Sequence, residues 1–434
     1  METSNKPKSV ITCDMEGRIE TFNERAEQLF GYRKSEVIGK KRVSLFSPGL
    51  TVLEHVPNWL KTARETGEYR SRTVFLRKDG TPFAADIRIT PTFRDGEQIG
   101  YCGVTEELET LDPAEAAPEI SLMTKVFAWL VITRAPFLTA IIVPILVAGA
   151  LVAALNMVSP FPWLNFILAL FAGISLHVAA NTFNDYFDWK SGADPLNNEY
   201  FLPYSGGSRS IELGLINEKT LFRVAVTSLV ISGVLGLALT LLSGPGILLF
   251  GLIGAFSAYF YTAPPIRLAA RRGLGELFTG LNFGPLAVMG AVYAMTGQFS
   301  WIAFLAGIPI GLLTAAILWI NEFPDVEADR AAGKNTLVAT LGRQRARWGY
   351  VALLLAAFGI VIYGVLQNLL PIGASLILAG LPLAVYTCVI ILREYGSRTL
   401  VRANSATIQL HLLAGLLMAA GLLWGERLLG LIGL

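Results

Sequence analysis

Apolar and polar positions change rhythm once along this chain, near residue 120. Before that point short runs alternate. Ser9 to Cys13 and Gly17 to Thr21 read as a hairpin turned by Asp14 to Gly17, Asn23 to Phe30 reads as a short helix, and Arg72 to Arg77, Phe83 to Thr90 and Gln98 to Val104 read as three more strands. Turns fall at Lys78-Asp79-Gly80 and Arg94-Asp95-Gly96. The pattern predicts an α+β domain over 1–106, a five-stranded sheet with helices on one side. Residues 107–124, rich in Glu, Ala and Pro, read as a linker.

From 125 to 434 the pattern predicts an all-α polytopic membrane domain. Nine apolar runs lie at roughly 128–155, 162–182, 221–243, 246–262, 277–296, 300–320, 347–367, 370–392 and 406–425. Each approaches the ~20 residues that a helix needs to cross the hydrocarbon. Loops after even-numbered runs carry Lys190, Arg209, Lys219, Arg267, Arg271, Arg272, Arg330, Lys334, Arg343, Arg393, Arg398 and Arg402, and loops after odd-numbered runs carry almost no Lys or Arg. The positive-inside rule then places the N-terminus and the basic loops in the cytoplasm and the C-terminus outside, in a multi-pass protein of the cytoplasmic (inner) membrane.

Composition adds little to this. The 53% hydrophobic and 16% charged residues average two regions of opposite character, and a net charge of +2 says little about partners; no nucleic-acid partner is expected. Met1 to Val10 is polar, so no cleavable secretory signal is expected. Cys13, Cys102 and Cys388 are scattered without metal-binding spacing, in keeping with a reducing cytoplasmic side for the first domain.

The candidate chemistry lies where two apolar runs end. After the second run stands Asn181-Thr-Phe-Asn184-Asp185-Tyr-Phe-Asp188-Trp-Lys190-Ser-Gly-Ala-Asp194. On a helix Asn181, Asp185 and Asp188 share a face, with Asn184 one turn before Asp188. After the sixth run Asn321, Asp325 and Asp329 form a second stripe in Asn321-Glu322-Phe-Pro324-Asp325-Val-Glu327-Ala-Asp329. Carboxylates at a bilayer margin are costly unless a cation, cavity or partner charge receives them. Two such stripes about 140 residues apart suggest a duplicated half and one shared site. Hard oxygen ligands without His or Cys suit Mg²⁺, which binds through one or two carboxylates plus substrate phosphates. A phosphorylated ligand is therefore expected. Arg209, in Ser205-Gly206-Gly207-Ser208-Arg209, and Lys334, in Gly333-Lys334-Asn335-Thr336, are candidate cations for its leaving oxygens. Gly206 and Gly207 would let backbone amides approach an anion, or mark a simple turn. His177 and His411 read as helix-packing polar residues.

The first domain resembles a PAS domain. The resemblance rests on Asp14-Met-Glu-Gly17-Arg-Ile19 with Asn23, Leu29-Phe30-Gly31-Tyr32, Glu36-Val37-Ile38-Gly39 and Lys78-Asp79-Gly80-Thr81. It implies a sensory or dimerising module, with a PAS-mediated dimer as one expectation. No cofactor signature is present and the PAS ligand is unknown. His55 reads as a surface or loop residue, and Cys13 and Cys102 as inert thiols in strands. No kinase, cyclase or DNA-binding region follows, so the output of sensing would be the membrane domain itself.

The membrane region, about 125 to 430, resembles the UbiA superfamily of intramembrane prenyltransferases. The resemblance implies that Asn184, Asp185 and Asp188 match an Asn-Asp-x-x-Asp motif and that Asp325 and Asp329 match an Asp-x-x-x-Asp motif. These motifs hold Mg²⁺ against a prenyl diphosphate, with Asn181 and Asn321 as flanking polar groups. The spacing of the family would put another acid at 192, where Gly192 stands. Asp194, two positions later, is the candidate for orienting or deprotonating the acceptor, against a solvated loop acid. Tyr261-Thr-Ala-Pro264-Pro265-Ile-Arg267 resembles the family's loop after helix four, making Arg267 a diphosphate candidate and Tyr261 a pocket residue. Arg271 and Arg272 read as topology signals. The implied reaction is Mg²⁺-assisted loss of diphosphate from a polyprenyl diphosphate in the bilayer, followed by attack of an electron-rich aromatic acceptor on the allylic cation. The motifs look most like the menaquinone branch, whose acceptor is 1,4-dihydroxy-2-naphthoate. Open beside it are a UbiA-family enzyme with another acceptor, a PAS-headed sensor that binds a quinone or lipid, and a transporter.

Overall fold

The computed structural model describes residues 8–47, 49–192 and 207–431. Two units are present: Met1–Ile132 with Arg209–Asn217, and Thr133–Ser208 with Glu218–Leu434. In the first, five strands, β1 (Ser9–Asp14), β2 (Ile19–Phe22), β3 (Tyr69–Leu76), β4 (Pro82–Arg94) and β5 (Glu97–Glu107), pair antiparallel in the order β2-β1-β5-β4-β3. This is the five-stranded sheet that the alternation predicts. Helices α1 (Glu24–Phe30), α2 (Lys34–Val37) and α3 (Thr51–Thr66) fill the connection from β2 to β3.

Asn23 begins α1 because its side-chain oxygen accepts from the Ala26 amide at 2.8 Å, and the same oxygen takes the Val10 amide of β1 at 3.1 Å. Gly31 ends the helix at φ 77, a left-handed conformation that glycine adopts without strain. Phe22, Phe30, Phe46, Phe75 and Phe83 interlock beneath the sheet, with Phe30 and Phe46 centroids 4.2 Å apart.

The stretch after β5 is ordered onto this unit. Ala116, in helix α4 (Pro113–Ala116), is buried with Val74 and Ala84. His55 Nε2 lies 3.0 Å from the Glu119 carbonyl, and the Ser121 amide donates to Glu54 at 3.0 Å. His55 thus ties α3 to the following chain. Burial and the neighbouring Asp14 push the Cys13 thiol up to about 12, so it stays protonated, as expected of an inert thiol. Arg209–Asn217, from much later in the sequence, also belongs here. Lys41 pairs with Glu212 at 3.7 Å, and a Cβ on Gly49 would come within 2.8 Å of the Gly214 carbonyl oxygen.

The second unit is a helical bundle. The first apolar run does not form one helix. Helix α5 (Leu122–Ile132), which belongs to the first unit, ends before Arg134, which sits at φ 52, and a short 3₁₀ turn, Ala135–Leu138, leads into α6 (Thr139–Ala154). There follow α7 (Trp163–Ser191), then Glu218–Ser243, Gly246–Phe260, Leu274–Leu281 continuing to Ala287–Thr296, Trp301–Ala331, Arg343–Leu366, Leu381–Glu394 and Val401–Leu431. Among the described residues eight helical segments are long and apolar enough to cross a membrane, against nine expected. The difference is the fourth run, whose helix Gly246–Phe260 has 15 residues before Pro264 and Pro265 stop further helix. Large apolar side chains on the outside, such as Leu241 at 89% and Leu366 at 72% exposure, suit lipid and not water. The chain is a multi-pass membrane protein.

Two features shape the bundle around its cavity. Between Leu281 and Ala287 the helix takes a π turn, Asn282–Leu286, around Pro285. There Gly284 packs so tightly that a Cβ would lie 2.5 Å from the Gly307 carbonyl oxygen, a backbone approach typical of helix contacts in membranes. The second feature is Pro324 inside helix Trp301–Ala331. Lacking an N–H, it leaves the Ile320 carbonyl without its helical donor. Asn404 of the last helix supplies one at 3.3 Å, and also donates to Asn321 Oδ1 at 2.7 Å.

Candidate active site

Helix α7 presents His177, Asn181, Asn184 and Asp188 to one cavity of about 380 Å³, a stripe at i, i+4, i+7 and i+11. Helix Trp301–Ala331 presents Thr314, Leu318, Asn321, Glu322, Asp325 and Asp329 to the same space. The two carboxylate motifs therefore share one cavity, with Lys334 and Tyr261 also in its lining. Away from the carboxylates the walls are mostly apolar, with Ile145, Leu176, Phe250, Phe278, Leu286 and Ile317 among them.

Lys334 joins the motifs. Its Nζ lies 3.2 Å from Asp188 Oδ2 and 3.9 Å from Asp329 Oδ1. Burial alone would lower its pKa, but Asp188 and Asp329 outweigh it and hold the ammonium well above its usual range. Its loop is braced from behind: the Arg272 amide donates to the Asn335 carbonyl at 2.9 Å, and the Leu337 amide to Glu276 Oε1 at 2.7 Å.

Asp185 takes another cation. Arg134, at the break before α6, donates to Asp185 Oδ1 and, at 3.0 Å, to Asn184 Oδ1. The Ser208 amide, next to Gly207 at φ 73, also donates to Asp185, at 3.3 Å. Thus an amide released by the glycine turn meets a carboxylate. Asp185 Oδ2 is buried with no hydrogen-bond partner among the described residues. Asn181 donates to the Thr133 carbonyl at 3.2 Å and fixes the chain that positions Arg134.

These residues fit Mg²⁺. The donors are hard carboxylate oxygens, one of them orphaned, and no three His, Cys, Asp or Glu side chains among the described residues converge on a point. Mg²⁺ keeps few protein ligands and completes its shell with phosphate oxygens and water. A carboxylate pair on each of two helices, bridged by cations, can hold a polyanion at the end of an apolar cavity.

Of the sequence candidates, Asn181, Asn184, Asp188, Tyr261, Asn321, Asp325, Asp329 and Lys334 line this cavity, and Asp185 packs directly beside it against Arg134. Arg267, half-buried in the loop after Gly246–Phe260, does not line it. Arg271 serves that loop as a brace, donating to the carbonyls of Ile266 at 2.9 Å and Pro265 at 3.2 Å. Arg209 lies in the first unit, buried and ion-paired with Glu212. Asp194 and Gly206 fall outside the described residues. Sequence reasoning missed Arg134, Glu322 and His177 as cavity groups and Asn404 as a brace. A lone arginine inside an apolar run was the available signal for Arg134.

Comparison with known proteins agrees with this architecture. The UbiA prenyltransferase family model matches residues 141–413, and a PAS domain model matches 7–107. The 2-carboxy-1,4-naphthoquinone phytyltransferase of Synechocystis is 30% identical over 303 residues, 68% of this chain and 93% of that protein. The 1,4-dihydroxy-2-naphthoate octaprenyltransferase of Bacillus subtilis is 28% identical, over 71% of this chain and 96% of its own. The apo structure of a UbiA homolog from Aeropyrum pernix shares the fold at 20% identity, with a TM-score of 0.50 covering 65% of this chain and 98% of that one. The chain belongs to the UbiA prenyltransferase family, as a membrane-embedded prenyltransferase that carries an N-terminal PAS domain.

Proposed function

We propose that the chain transfers a polyprenyl group from its diphosphate to 1,4-dihydroxy-2-naphthoate, displacing the carboxyl group as CO₂, in menaquinone synthesis. The observation that carries this reading is the convergence of Asp188, Asp325, Asp329 and Lys334 on one mostly apolar cavity. The naphthoate and naphthoquinone specificities of the similar enzymes favour this acceptor. Asp185, Asp188, Asp325 and Asp329 would hold Mg²⁺, which when bound neutralises charge on the departing diphosphate. Arg134 and Lys334 supply fixed cationic donors to the same oxygens, and Asn181, Asn184 and Asn321 order the polar rim. Tyr261 borders the reacting end. The aliphatic walls take the isoprenoid chain and keep water from the allylic cation. Asp194, Arg209 and Arg267 are assigned to the approach of acceptor and diphosphate on the sequence resemblance alone. The basic loops support a cytoplasmic face for this polar end.

The test is prenyl transfer by purified protein in detergent, with Mg²⁺, a long-chain prenyl diphosphate and a panel of aromatic acceptors, beside an Asp185→Ala, Asp325→Ala double variant. Product from the naphthoate that disappears in the variant supports the reading. Preference for another acceptor moves the chain to a different branch, and no product from folded protein that still binds prenyl diphosphate leaves a binding role.

A further inference from the structure

Among the cavity-lining side chains outside the carboxylate motifs, His177, through Nδ1, and Glu322, through Oε2, each carry a buried polar atom without a hydrogen-bond partner among the described residues. Such atoms cost about 1–3 kcal/mol each when left unmet in a dry interior, so a ligand group is the natural completion. Their depths differ. At 1.5 Å per residue, His177 lies about 12 Å of helix below Asp185, against the Phe283 ring at 4.5 Å, at the level of an isoprenoid tail. Glu322 lies only about 4.5 Å of helix below Asp325, where the first carbon of a prenyl group would stand once its diphosphate met the aspartates. It is 7% exposed, and the Glu276 carboxyl lies beside it, itself held by the Leu337 amide. The nearby ammonium of Lys334 is engaged by Asp188 and Asp329.

We propose that Glu322 binds the aromatic acceptor, accepting a hydrogen bond from a ring hydroxyl and so presenting the ring to the reacting carbon. The inference rests on the prenyl-transfer reading above and adds the group that selects hydroxylated acceptors. A carboxyl oxygen accepts an O–H bond and gives a ring without a hydroxyl nothing, which separates such substrates by large factors.

The experiment compares binding of 1,4-dihydroxy-2-naphthoate and of 2-naphthoate, which lacks the hydroxyls, by calorimetry on wild type, Glu322→Gln and Glu322→Leu in detergent with Mg²⁺. Prenyl diphosphate affinity is measured alongside as the check on folding. The expected result is a wild-type preference for the hydroxylated ring of about 10–100-fold, reduced in Glu322→Gln, which keeps one acceptor oxygen, and abolished in Glu322→Leu. Prenyl diphosphate affinity should stay within about twofold, and in turnover the acceptor KM should rise more than kcat falls. An unchanged preference in Glu322→Leu, or no preference in wild type, overturns the assignment, as does a loss of prenyl diphosphate affinity equal to that of acceptor. Binding preference without any transfer would instead count against the proposed reaction and leave Glu322 as an acceptor-binding group.

Discussion

Replacing Lys334 with methionine keeps the length of the side chain and removes a charge that touches both motifs. The ammonium lies 3.2 Å from Asp188 and 3.9 Å from Asp329, and its side chain is 17% exposed. At an effective dielectric near 20, a unit pair at about 4 Å interacts by about 4 kcal/mol before desolvation is counted. The net cost of breaking a buried pair is about 3–5 kcal/mol, because the remaining charge is left unmatched. Here two carboxylates are left, facing one cavity. Methionine recovers the desolvation of the ammonium, and water entering the cavity relieves part of the rest. A loss of about 3 kcal/mol is therefore expected in the cation-free protein. Mg²⁺ with prenyl diphosphate would neutralise the same carboxylates, so the gap in unfolding temperature between variant and wild type should narrow when both are added. Activity should not follow stability back. A fixed donor to a developing anion contributes about 10²–10³-fold, so kcat/KM for prenyl diphosphate should stay low by that factor at saturating Mg²⁺. Thermal unfolding in detergent with and without Mg²⁺ and prenyl diphosphate, read beside single-acceptor kinetics, makes the measurement. A gap that the added ligands do not change, or wild-type turnover in a folded variant, would refute the bridging role.

Three further outcomes follow from named contacts. Asn404→Leu removes the donor to the Ile320 carbonyl and to Asn321 and should destabilise by about 1–2 kcal/mol; in a Pro324→Ala background, where the helix again supplies an N–H to Ile320, the cost should shrink by about 0.6 kcal/mol, and strict additivity in the cycle would contradict this account. Gly311→Leu places a side chain where even a Cβ would lie 2.2 Å from the Gly280 carbonyl oxygen, so the helices must part; loss of folded protein by size-exclusion chromatography is expected, and normal yield with wild-type activity would show that the contact yields. Deleting residues 1–110 removes most of the unit to which Arg209–Asn217 belongs, in the segment that follows Ser208 and its bond to Asp185. Prenyl transfer should then lose its dependence on redox state or added ligand, and identical rates with and without the domain under every condition would dismiss regulation by it.

Local pattern determined much of this protein. The strands of the PAS domain follow from period-two alternation and from turns at Asp95-Gly96 and Asp79-Gly80, because side-chain direction in a strand depends only on neighbours in sequence. The long helices follow from apolar length alone, since in a bilayer the backbone has no other way to satisfy its polar groups. The carboxylate stripes follow from 3.6-residue periodicity. Length also explains the one difference in count, because the run at 246–262 is ended early by Pro264 and Pro265, which reading hydropathy alone passes over.

Tertiary structure decided what the stripes touch. Lys334 and Asp188 are 146 residues apart, Arg134 and Asp185 51, and Asn404 and Asn321 83. Nothing in the periodicity of one helix says which cation on another will meet it. Arg134 was hidden inside a run read as one span, and became visible only where the chain breaks at φ 52 and turns its guanidinium to Asp185. Arg267 and Lys334 looked alike as loop cations, yet only Lys334 lines the cavity. Glu322 sits one position from Asn321 and reads as a helix-end acid until packing turns it toward the apolar wall. Sequence specifies which residues share a face of one helix, whereas the pairing of faces is set by close packing, as where Gly284 and Gly311 let two backbones meet.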